Sequence, residues 1–123
     1  MPTVSSTSAQ QVSTTDATVT PIDSATLAPG QTWAFKAFVT AVRTGGASGT
    51  AGDSGFLEVS AVFKCLASSL VQVGNTVVLG SLDQSSWAVT FRVLNDTTVA
   101  LNVTGASGNN VDWASFLTIY KDS

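Results

Sequence analysis

The sequence predicts an all-β domain, a β-sandwich or jelly-roll-like arrangement of about seven to eight antiparallel strands. Apolar side chains recur with period two in run after run, and turn residues punctuate those runs at short intervals. No stretch offers a capped, amphipathic helix of about ten residues. A chain of 123 residues is long enough for one two-layer core.

Residues 1–16, from Met1 to Asp16, are Ser, Thr, Gln and Ala with isolated valines. Such a stretch recovers little of its ordering entropy by burial, so it reads as a flexible polar arm that orders on a partner. The domain proper then spans 17–123. Its first strand lies around Thr18 to Ile22, with Pro21 placing it at an edge. Leu27 to Gln31 is a turn, because Pro29-Gly30 suits the central positions of type II.

Thr32 to Arg43 alternates clearly. Trp33, Phe35, Ala37, Val39 and Ala41 share one face, and Phe38 and Val42 lie on the other with Lys36. The glycine-rich TGGASGTAGDSG that follows is expected to be a mobile loop, for it lacks the Lys-Ser/Thr ending of a phosphate loop. Phe56 to Leu66 buries the face from Leu57 to Cys65 and leaves Glu58, Val62 and Lys64 outside. A short pair is expected around Val71 and Thr76 to Leu82, turning at Gly74-Asn75.

Trp87 to Leu94 and the return strand through Val99, Leu101 and Val103 make a hairpin about Asn95-Asp96-Thr97, with Val89, Phe91 and Val93 inward. Its register is set, since a slip of one residue would turn every apolar side chain outward. The last strand, Val111 to Tyr120, places Trp113 and Leu117 inward and Phe116 and Tyr120 outward. The expected core is therefore Trp33, Phe35, Val39, Val59, Phe63, Val89, Phe91, Leu101, Val103, Trp113 and Leu117. Trp33, Trp87 and Trp113 all alternate with core residues and read as core; Trp87, at a strand start, is the one of the three nearest a rim, where an aromatic ring can stack on a sugar.

Charged residues are only 11% of the chain, five basic against eight acidic, for a formal charge of −3. The basic residues are scattered singly, which argues against a nucleic-acid partner. No apolar run is long enough for a membrane-spanning helix, so no membrane insertion is expected. The first residues lack the basic and apolar regions of a secretion signal, so synthesis in a cytoplasm is expected. The single cysteine, Cys65, alternates with core residues and reads as a small buried hydrophobe.

The chain contains no histidine, which removes the usual general base and metal ligand. Glu58 and Asp112 are the one carboxylate pair weighed for glycoside hydrolysis. Each reads more simply as a solvated strand residue. Asp53 and Asp96 lack the interleaved oxygen ligands of a calcium loop. Asn95-Asp96-Thr97 and Asn102-Val103-Thr104 match a glycosylation sequon, which carries little weight without a secretion signal. No catalytic residue, no metal site and no cofactor is expected, and the protein is not expected to be an enzyme.

Phe38, Val42, Val62, Phe116 and Tyr120 recur on faces that ought to meet water. Unless loops cover them, they mark an oligomer interface.

The runs Ser85-Ser86-Trp87-Ala88-Val89-Thr90-Phe91, Val99-Ala100-Leu101-Asn102-Val103-Thr104-Gly105-Ala106-Ser107-Gly108 and Val111-Asp112-Trp113-Ala114-Ser115-Phe116 resemble a surface module of tailed-bacteriophage virion proteins. The resemblance is one of pattern over roughly residues 30–120, carried by core and turn residues. It implies a structural protein of the virion, in a tail-fibre or capsid-decorating role, made in the host cytoplasm and assembled on the particle. It further implies a symmetric homo-oligomer, a trimer by preference, in contact with other virion proteins. The alternative is a carbohydrate-binding, receptor-recognition module reading a host surface glycan. Val62-Phe63-Lys64-Cys65 departs from the Arg-rich strand of the family pattern, which weakens any shared ligand.

Overall fold

The computed structural model describes residues 3–122 and contains eight strands. They are β1 (Thr3–Thr14), β2 (Thr20–Thr26), β3 (Thr32–Gly45), β4 (Ser54–Leu66), β5 (Ser69–Leu82), β6 (Ala88–Val93), β7 (Thr98–Thr104) and β8 (Asn110–Asp122). All pairings are antiparallel, and no helix occurs among the described residues. The strands form a five-stranded sheet in the order β1-β8-β3-β4-β5 and a three-stranded sheet in the order β2-β7-β6. The fold is a β-sandwich, as the alternation predicts.

The core between the sheets holds all eleven side chains expected there. Phe35 is its hub, edge-on to Phe63 at 5.8 Å and tilted against Phe91 at 5.5 Å between ring centroids. Aromatic pairs at these separations add to the burial of their area. Cys65 is buried beside Phe63, as expected. Val93 is not in the core: it is 45% exposed at the end of the edge strand β6, although its cross-strand partner Val99 is buried.

Two expectations about strands need correction. The segment expected as a flexible arm forms β1, an edge strand laid along β8 from Thr3↔Asp122 to Thr14↔Val111. Composition misleads here because main-chain hydrogen bonding asks little of the side chains. Val12 packs against the core and Thr14 is buried, and the Thr14 hydroxyl accepts the indole N–H of Trp113 at 2.9 Å.

The second correction concerns residues 69–82, which form one strand rather than a short pair. Gly74-Asn75 is a bulge, not a hairpin turn. Between the pairs Val62↔Val73 and Ser60↔Val77, β5 takes four residues where β4 takes two. Gly74, at a φ of 75°, absorbs the excess, and Gln72 donates to the Thr76 hydroxyl across it at 2.9 Å. The true reversal is the β4–β5 hairpin, whose Leu66↔Ser69 pair closes on Ala67-Ser68.

Other local expectations stand. Pro21 lies in the edge strand β2 at a bulge before Asp23, where its missing N–H costs nothing. Gly30 has a φ of 86°, and the Gln31 N–H donates to the Ala28 carbonyl, closing the turn at Pro29-Gly30.

Candidate functional site: the outer face of the five-stranded sheet

The register brings all five expected interface residues, Phe38, Val42, Val62, Phe116 and Tyr120, to one face. It is the side of the five-stranded sheet turned away from the core. Two cross-strand rows define it. One runs Ala9, Phe116, Phe38, Glu58, Leu79 from β1 to β5, and the other runs Ser5, Tyr120, Ala34, Val62, Val73. Val42 continues the face toward the Gly-rich loop, opposite Asp112 and Ser54.

The sequence reading missed Phe56, Val71, Val73, Val77 and Leu79, which belong to the same face. Phe56 stacks on Phe38, with ring centroids 5.7 Å apart and 15° between planes. The β5 residues were obscured by the supposed turn at Gly74-Asn75. Their odd-numbered spacing, Val71, Val73, Val77, Leu79, was the available signal, because a bulge of two extra residues leaves that alternation in phase. Val62 is half-buried among these neighbours; Phe38, Val42, Phe56, Val71, Val73, Val77, Leu79, Phe116 and Tyr120 are 38–57% exposed.

Two charges at the middle of the face neutralise one another. Lys36 Nζ lies 3.0 Å from Glu58 Oε1, and the hydrogen bond and charge of Glu58 hold the ammonium pKa above its ordinary value. The same ammonium sits 5.5 Å from the centre of the Phe38 ring. An exposed pair of this kind contributes little stability by itself. Its effect is to leave no unmatched charge beside the Phe38–Phe56 stack. Ser13 donates to the Asp112 carboxylate at 2.7 Å near the far end.

Shallow hollows flank the aromatic ridge. One of about 470 Å³ is lined by Gln11, Ser13, Thr40, Val42, Asp112 and Ala114. Another of about 290 Å³ lies among Lys36, Ser60, Val62, Val73, Val77 and Tyr120. Neither is a deep, enclosed pocket.

The weighed carboxylates are not brought together. Glu58 and Asp112 are two strands and four residues apart on the outer face, about 17 Å at ~4.8 Å per strand and ~3.4 Å per residue. That exceeds the roughly 5–9.5 Å of glycosidase pairs. Asp53 and Asp96 sit at opposite ends of the sandwich, and no cluster of three acidic or cysteine ligands occurs among the described residues. Trp87 does not reach a rim: it is 4% exposed and meets Trp113 edge-on at 5.9 Å. All three tryptophans are buried, as their alternation with core residues predicts, and the alternative of Trp87 as a rim platform for a sugar falls away.

The Gly-rich loop is tied down rather than free. Arg43 donates through Nε to the Ser48 carbonyl at 3.0 Å and through Nη2 to Gly46 at 2.9 Å. Asp53 accepts from the Thr50 N–H at 2.9 Å and from Gln84 at 2.7 Å. These bonds, Thr50 first, then Gln84, with the charge of Arg43 behind them, hold its carboxyl pKa below 3.8. Gly46 has a φ of 105°, and a Cβ there would lie 2.2 Å from the Gly108 carbonyl oxygen. The loop thus packs against the β7–β8 connection.

Among the solved structures that resemble the chain are two phage tailspike proteins. The tailspike protein of Acinetobacter baumannii phage AM24 aligns at a TM-score of 0.44 and 14% identity, over 96% of this chain and 26% of that one. The tailspike protein of Acinetobacter phage vB_ApiP_P1 aligns at 0.38 and 13% identity, over 97% of this chain and 21% of that one. This chain spans about a quarter of the length of those proteins. At these values neither likeness assigns an activity to it. No protein-family profile and no curated protein sequence matches the chain.

Proposed function

We propose that this chain is a structural, non-catalytic module of a phage virion that works as a symmetric oligomer, burying the outer face of its five-stranded sheet against other copies. One observation carries the reading: ten large apolar side chains lie on a single solvent-facing sheet surface whose charges are paired or peripheral. Their exposed parts sum to roughly 700 Å², taking half-covered aromatics at about 75–125 Å² and aliphatics somewhat less. A typical monomer shows a largest patch of about 300–600 Å², and a standard interface buries about 800 Å² per partner. Covering that area is worth roughly 17 kcal/mol per copy, gross, before the costs of association.

The virion setting is supported by the residue pattern around Trp87, Val99 to Gly108 and Val111 to Phe116. A trimer is what that resemblance implies; the face itself selects no symmetry. Light scattering across a concentration series tests the assembly. The expected result is an oligomer at tens of micromolar that falls to monomer in the double variant Phe38→Ser, Phe116→Ser. A wild-type chain that stays monomeric, alone and with other shell or tail proteins of its particle, overturns the reading.

A further inference from the structure

Each sheet has two edge strands, and the four edges are not equally guarded. β2 carries Pro21, Asp23 and a bulge, and β6 is six residues long with Arg92. β1 carries no charge, but the exposed side chains described on it are Ser, Thr, Gln and one Ala, with no large apolar group. β5 is different. It runs 14 residues without Lys, Arg, Asp, Glu or Pro, and past its bulge it presents Val77, Val78 and Leu79 in succession. All three are exposed, at 52%, 47% and 57%.

Successive exposed residues on a strand lie on opposite faces. Val77 and Leu79 stand on the outer face, opposite Ser60 and Glu58, while Val78 stands on the core face opposite Val59. A partner lying flat on the outer face would cover Val77 and Leu79 and leave Val78 wet. A strand added alongside β5 covers all three, because it extends both faces and also takes up the unpaired backbone groups of the edge.

We propose that the free edge of β5 pairs antiparallel with β5 of a second copy, about a twofold axis at or within one residue of Val78. A dyad there sets Val78 against Val78, and Val77 against Leu79 of the other copy, in both directions. Cross-strand apolar pairs are favourable, and the uncharged strand brings no like charges together. The two five-stranded sheets become one of ten strands, and the outer apolar faces of the two copies become continuous. The contact rests on the assembly reading above and gives it a symmetry element.

Two measurements test it. In a Cys65→Ala background, single cysteines are placed at Val77, Val78, Leu79 and, as a control beyond the pairing, Asn75. Mild oxidation is expected to give a disulfide-linked dimer most readily at Val78, falling to either side, with Asn75 lowest. Equal or absent cross-linking at all four overturns the edge contact. Separately, Val77→Lys with Leu79→Lys keeps both side chains on the solvent face while opposing like charges across the dyad. It is expected to weaken association by at least about tenfold, with an unchanged circular dichroism spectrum. If that variant assembles like the wild type while Phe38→Ser, Phe116→Ser dissociates, the edge contact is wrong and the outer-face reading stands. If both assemble like the wild type, both fail. A wild-type assembly with an odd number of copies, three included, also overturns the twofold.

Discussion

Trp113 is sealed in the core, and its indole N–H has one partner, the Thr14 hydroxyl at 2.9 Å. Thr14→Val keeps the shape and removes the acceptor, leaving a buried donor unpaired. The expected cost is about 1–3 kcal/mol in denaturant unfolding, whereas Thr14→Ser should lose much less. Asp53 gives a pH-dependent counterpart at the surface. Its carboxyl pKa lies below 3.8 because the ionised form accepts from Thr50 and Gln84. A depressed carboxylate contributes stability that is whole above its unfolded value and is lost as pH falls through its folded value. Protection of Thr50 and its loop neighbours against amide exchange, relative to the intrinsic rate at each pH, should therefore fall below about pH 4, and Asp53→Asn should show low protection without that change. Neither feature was legible in the sequence. Thr14 fell in a stretch read as arm, and the partners of Asp53 come from its own loop and from a residue thirty-one positions away.

At the scale of elements, the β6–β7 hairpin is where sequence and structure agree most closely, from Val89↔Val103 to Val93↔Val99. Alternation alone fixed its register, since both strands bury one face. Phe91 sits at its centre against Phe35. Phe91→Ala is expected to cost about 3–5 kcal/mol through lost burial and the cavity left behind; a loss under 1 kcal/mol in urea unfolding would remove Phe91 from the core. The elements read less well are the two edges of the larger sheet, and for opposite reasons. β1 offers almost no apolar periodicity, because an edge strand can be held by its ladder with β8 and inward side chains such as Val12 and Thr14. β5 has periodicity in full, but Gly74-Asn75 looks like a turn to any local rule, and only pairing with β4 shows it to be a bulge. The consequence for the candidate site is direct. Phe38, Val42, Val62, Phe116 and Tyr120 were visible from strands with clean alternation, while the β5 half of the face was hidden behind that bulge.

The whole molecule has a well-filled interior and an unusually apolar exterior on one side only. The three-stranded sheet turns Thr90, Arg92 and Asn102 outward, whereas the five-stranded sheet turns out aromatics and valines. With 11% charged residues the chain has few means of keeping such a face apart from others like it. If copies meet there, folding and association are linked, and stability depends on concentration because partners bind only the folded chain. Each tenfold rise in concentration then adds about 0.7–0.9 kcal/mol per chain for a dimer or trimer, which for a domain of this size is roughly 2–4 °C in Tm. The expected outcome is a Tm that climbs by that amount per decade between about 1 and 100 µM for the wild type. Phe38→Ser with Phe116→Ser should flatten the slope while leaving the low-concentration Tm nearly unchanged, since both side chains are already wet in the isolated chain. A Tm independent of concentration in both proteins would mean that the apolar face stays in water, and the proposed virion role would then need a partner other than a copy of the same chain.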